Sequence, residues 1–107
     1  MSAIDSRPRV VITYCTQCRW LLRATWLAQE LLTTFTTDIG ELALKPGTGG
    51  VFRVAVGEEV LWDRQVEGSF PDLGPLKRMV RDRVAPGRSL GHTDRAAQSA
   101  DVAAQTD

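Results

Sequence analysis

The change of apolar period at Cys15 constrains this chain more than any other feature. Residues 9–14 (RVVITY) are β-branched or aromatic and apolar at nearly every position, the pattern of a central strand covered on both faces. From about Thr16 the apolar residues recur at helical spacing. Cys18, Leu21, Ala24, Ala28, Leu31 and Phe35 fall on or near one face, and Arg19, Arg23, Trp26 and Glu30 on the other. A strand feeding straight into an amphipathic helix commits the next parallel strand to a right-handed crossover. Both cysteines of the chain, Cys15 and Cys18, lie at that junction.

The remaining elements follow from turn chemistry. TFTTDIG ends the helix, with Asp38 and Gly40 as turn residues. ELALK (41–45) reads as a short strand and PGTGG (46–50) as a glycine-rich loop. VFRVAV (51–56) and a second strand over 59–64 pair as a hairpin around Gly57-Glu58, where glycine in the first central position suits a type II′ turn. VEGSFP (66–71) reads as a loop, Asp72 as an N-cap, and a helix runs to about Ala85 with Leu73, Leu76, Met79, Val80 and Val84 inward. Pro75 is tolerated in its first turn, where no internal hydrogen bond is lost. The order β-α-β-β-β-α predicts an α/β (α+β) domain: a four-stranded mixed sheet with two helices on one face. Residues 1–8 read as a flexible lead, 9–90 as the domain, and 91–107, alanine-rich and polar, as a disordered tail.

At 107 residues the chain has room for one modest core. Thirteen basic and thirteen acidic side chains cancel, which removes any global attraction to nucleic acid or to a membrane surface. No apolar run approaches the roughly 18 residues that span a bilayer, and MSAIDSRPR lacks the apolar core of a secretory signal. A cytoplasmic protein is expected. In that compartment disulfides are transient and catalytic more often than structural.

A Cys-x-x-Cys pair at a strand-helix junction is suited to redox chemistry. The free amides and dipole of a helix N-terminus favour a thiolate, and Arg19 and Arg23 add positive charge. Cys15 is expected at the first exposed helix position, and Cys18 at the start of the inward face. Accessibility then makes Cys15 the attacking thiol and Cys18 the resolving one. Two rival readings are a pair of buried thiols and a zinc site. Zinc wants four ligands; the chain offers Cys15, Cys18 and His92, so no metal site is expected. KPGTGG lacks the terminal Lys-Ser/Thr of a phosphate-binding loop.

The arrangement resembles a minimal thioredoxin fold with the pair at its usual place. TYCTQC after a strand, PGTGGVFRV, WDRQVEGSFPD, and LKRMVRD followed by LGHTD are together similar to the selenoprotein W-like (SelT/SelW/SelH) family over residues 9 to 95. That resemblance implies a thioredoxin-like fold and thiol-dependent redox activity. It implies no bound cofactor, with glutathione as a thiol co-substrate and glutathione or protein disulfides as partners. Cys18 matches the position of the family's selenocysteine, so on the attacking group the resemblance opposes the accessibility argument. A non-catalytic redox-sensing or protein-binding module remains the alternative.

Further expectations concern the surroundings. If the second and third strands flank the first, residues 46–50 must cross its C-terminal end, a span of about 9.6 Å. Gly49 and Gly50 would then bring backbone close to the thiol and to an incoming disulfide, with Gly68 and Phe70 at the same end of the sheet; these four are the expected substrate-binding residues. The uncovered sheet face, carrying either Val51, Ala55, Val60 and Trp62 or Phe52, Val54, Val56 and Leu61, predicts weak homodimerisation. Trp20 and Trp26 read as helix packing and a partly exposed aromatic. The basic residues from Lys77 to Arg88 read as a solvated face, and His92 as a tail residue or a proton shuttle.

Overall fold

The computed structural model describes residues 6–91, so the expectations for His92, for most of the tail and for the first residues of the lead fall outside the described residues. The elements are β1 (Arg9–Cys15), α1 (Leu21–Thr34), β2 (Glu41–Gly47), β3 (Phe52–Val56), β4 (Glu59–Asp63), α2 (Arg64–Glu67) and α3 (Leu73–Val84). They build a four-stranded mixed sheet of order β2-β1-β3-β4. β1 runs parallel to β2 and antiparallel to β3, and β3 pairs antiparallel with β4. This is the expected thioredoxin-like topology.

Alternation along the strands sorts the side chains by face. Val10, Ile12 and Tyr14 of β1 lie opposite Val56, Val54 and Phe52 of β3. All six are buried in one cluster with Ala24, Leu27, Ala28 and Leu31 of α1, the following Phe35, and Leu76 and Val80 of α3. Both long helices therefore cover the same face, and each fully buried Leu or Phe stabilises the fold by about 1.5–3 kcal/mol. The run RVVITY is covered on one face only: Val11 and Thr13 point the other way and are half-buried. Val11 sits between Ala43 and Ala55, so a β-branched residue is favoured there by cross-strand packing without a covering helix.

Three local readings are corrected. The first helix begins at Leu21 and not at Thr16, because Arg19 has φ +60° and a left-handed residue cannot lie inside a right-handed helix. In consequence Leu21 is half exposed. The chain after β4 forms the one-turn helix α2, which the loop reading of 66–71 missed. Asp63 caps it, its carboxylate accepting from the Gln65 N–H at 3.0 Å, and Gly68 ends it in the left-handed conformation. On the uncovered face the two proposed sets are mixed by an irregularity in the β3–β4 register between Val54 and Ala55. Val60 stays with Ala55 on the open side, whereas Trp62 pairs with Val54 and packs on the core. At the hairpin, Gly57 has φ +59° and Glu58 does not share the positive sign, as type II′ requires.

Candidate active site

Cys15 is the last residue of the central strand, opposite Gly47 of β2, and only 1% exposed. There the chain leaves the sheet. The Thr16 N–H and hydroxyl both donate to the Gly47 carbonyl, at 3.0 and 3.1 Å, which fastens residues 16–19 to the end of β2. The Arg19 N–H donates to the Thr16 carbonyl at 3.2 Å and the Trp20 N–H to the Cys15 carbonyl at 3.4 Å. This tight turn folds Cys18 back over Cys15. Both thiols are free, and Cys18 Sγ donates to Cys15 Sγ across 2.6 Å.

The expected accessibilities of the two cysteines are reversed. Cys18 is exposed and Cys15 is buried, because the motif lies in the turn ahead of the helix and not in its first turn. The Cys15 thiol is lowered from its ordinary pKa, chiefly by the hydrogen bond from Cys18, with help from the amides of Gly50, Cys18 and Gln17 and against the effect of burial. The Cys18 thiol is raised, chiefly because ionisation would forfeit that hydrogen bond; the Gly50 amide and the charge of Arg64 pull the other way. The pair thus shares one proton: the first ionisation is eased and the second is made harder.

The glycine loop crosses where the topology requires. The Gly50 amide favours the ionised form of both sulfurs, and Gln65 of α2 donates from Nε2 to the Gly49 carbonyl at 3.0 Å. The reason for glycine differs from expectation. A Cβ built at Gly49 or Gly50 meets nothing within 4 Å, so close approach is not what excludes a side chain. Their φ values of +74° and +77° do so instead.

Phe70 lies beside the motif, edge-on to Trp20 at 4.8 Å and to Phe52 at 5.2 Å between centroids. Gly68 donates to the Arg64 carbonyl at 2.7 Å, closing α2 so that the chain turns toward Phe70. Two cations overlie this cluster. The Arg23 guanidinium is 3.9 Å from the Phe70 centroid, and that of Arg64 is 4.9 Å from Trp20 and 5.0 Å from Phe70. Arg64 and Gln65 escaped the sequence reading. The spacing of Asp63 and Gly68, a cap at each end of one turn, was the signal that could have placed them. Among the described residues no three His, Cys, Asp or Glu side chains gather into a metal-binding group, and no helix is long and apolar enough to cross a membrane.

The fold and the pair together define a class: thioredoxin-like α+β domains carrying Cys-x-x-Cys at the C-terminal end of the first strand. The chain belongs to the Rdx family, whose model matches residues 9–82, which makes it a selenoprotein W-like, redox-related protein. It is similar to a protein of known crystal structure from Bordetella parapertussis, with 61% identity over 72% of this chain and 98% of that one, and a TM-score of 0.70. It is also similar to the crystal structure of a selenoprotein W-related protein from Vibrio cholerae. There the identity is 44% over 74% of this chain and 99% of that one, with a TM-score of 0.71. The comparison with curated proteins returns no match.

Proposed function

We propose that the chain is a thiol-disulfide oxidoreductase in which Cys18 attacks and Cys15 resolves. The observation that carries this reading is one exposed and one buried sulfur 2.6 Å apart, the exposed Cys18 thiol donating to Cys15. An external disulfide needs access to the attacking sulfur, and only Cys18 offers it. As Cys18 attacks, its proton passes to the Cys15 thiolate. A mixed disulfide forms on Cys18, the substrate's own S–S bond breaks, and the departing thiolate takes the proton from Cys15. Cys15, again a thiolate, then attacks Cys18 Sγ and releases the second substrate thiolate. The protein ends as the Cys15–Cys18 disulfide, and two electrons have reduced the substrate. Two glutathione thiols would restore the dithiol, leaving oxidised glutathione. The potential expected for such a pair lies between those of thioredoxin and glutaredoxin, about −270 to −200 mV, which suits cycling in a cytoplasm.

Mass spectrometry across a glutathione redox series tests the reading. The wild type should lose two hydrogens reversibly. Cys15→Ser should accumulate one glutathione on Cys18, while Cys18→Ser should stay largely unmodified. Modification confined to Cys15 would reverse the roles, and two thiols that stay free under oxidising buffer would remove the function.

A further inference from the structure

Several cations of this domain are held by carboxylates. Arg9 pairs with Glu41, Arg53 with Asp63, Lys77 with Glu30, Arg83 with Glu59 and Arg88 with Asp38. Arg23 and Arg64 are different. Among the described residues neither guanidinium meets a carboxylate, and both are laid over aromatic rings instead. Arg64 Nε is moreover buried with no hydrogen-bond partner among the described residues, an arrangement that is unfavourable when nothing compensates it. The two cations share Phe70, which touches Trp20, and the Trp20 amide is bonded to the Cys15 carbonyl. Two cations without a carboxylate partner therefore overlie one aromatic cluster, and Trp20 of that cluster closes the turn that carries the exposed sulfur. The charge of Arg64 is felt at Cys18. The aromatic faces restrict both guanidiniums, and their terminal N–H groups, unlike the buried Arg64 Nε, remain for an incoming anion, which a planar fork binds in two-point fashion.

We propose that Arg23 and Arg64 form an anion subsite that selects disulfides carrying a carboxylate a few bonds from the reacting sulfur. The subsite rests on the thiol-disulfide reading of Cys15 and Cys18. It adds what that reading leaves open: the chemical class of the substrate. A disulfide arriving at Cys18 would place its flanking group over Trp20 and Phe70, between the two cations. Either a small acidic thiol or an acidic segment of a protein presents that chemistry.

The test follows thiol loss in the reduced full chain with three small disulfides: 3,3′-dithiodipropionate (dianionic), hydroxyethyl disulfide (neutral) and cystamine (dicationic). These differ in intrinsic reactivity, so the readout is each rate ratio in the wild type divided by the same ratio in a variant. At low salt the wild-type preference for the dianion over the neutral compound should exceed that of Arg23→Gln or Arg64→Gln by about three- to tenfold. It should fade toward 1 M salt, where screening acts over about 3 Å. Arg23→Lys, which keeps the charge, should retain part of it. Ratios equal in the wild type and both Gln variants, or insensitive to salt, would overturn the subsite while leaving the redox function intact. Failure of even the neutral disulfide to oxidise the pair would remove that function, and the subsite with it. Disulfides of acetylated Glu-Cys-Glu and Gln-Cys-Gln amides extend the comparison. A larger ratio there assigns an acidic protein segment, and a preference confined to the small series assigns a small thiol.

Discussion

Arg19 is the only non-glycine residue with a positive φ among the described ones, and it directly follows the exposed cysteine. A left-handed backbone costs an ordinary residue about 1–2 kcal/mol, and here it folds Cys18 back toward Cys15. Branching at Cβ makes that conformation worse. Arg19→Val should therefore lower stability further, by about 1 kcal/mol, and slow closure of the Cys15–Cys18 disulfide, whereas Arg19→Gly, which relieves the left-handed strain, should keep closure fast and leave stability at or above the wild type. Denaturant unfolding of the reduced proteins and quenched alkylation after oxidation measure the two effects. This residue also marks where sequence reading stops. Ala24, Ala28, Leu31 and Phe35 repeat at helical spacing because all four face the core, and that period is written in the chain. Extending it back to Cys18 failed, because an arginine gives no sign that its backbone is left-handed. The buried and exposed cysteines were exchanged as a result.

Among the elements, all four strands and both long helices were legible and the one-turn α2 was not. α1 and α3 carry enough apolar repeats to fix both identity and face, whereas the near-continuous run of β1 fixed its identity and suggested two covered faces where there is one. α2 has four residues and buries none of them; only its caps could have revealed it. The register shift in β3–β4 moves Trp62 onto the covered side, where its indole N–H donates to the Ser69 carbonyl at 2.9 Å. Strict alternation cannot anticipate such a shift. The glycine loop was located correctly, yet for the wrong reason, and the difference changes what a substitution should do. A side chain at Gly50 meets empty space but needs a strained backbone, and the amide that favours the ionised form of both sulfurs belongs to that same residue. Gly50→Ala should lower stability by about 1–2 kcal/mol and slow thiol exchange together. Unfolding midpoints and alkylation rates test this; slowed exchange at unchanged stability would mean that the loop acts on the substrate alone.

Across the whole molecule, the sheet divides the chain into a covered side and an open one. Val11, Ala55 and Val60 lie on the open side with the Arg53–Asp63 pair, whose Nε and Oδ2 are 3.3 Å apart. Val60 is half exposed. Weak self-association through this face should appear as a sedimentation coefficient that rises with concentration, and Val60→Lys should flatten the rise. A strictly monomeric wild type at high concentration would exclude it. The position of Cys15 has a consequence of another kind. Its backbone ends the central strand, paired with Gly47 of β2, whereas Cys18 hangs on a turn fastened chiefly through Thr16. Gain or loss of two electrons can thus displace little of the scaffold. The news of oxidation must be carried by residues 16–20 and the rings beside them, so any partner that distinguishes the two states has to read that one corner of the surface.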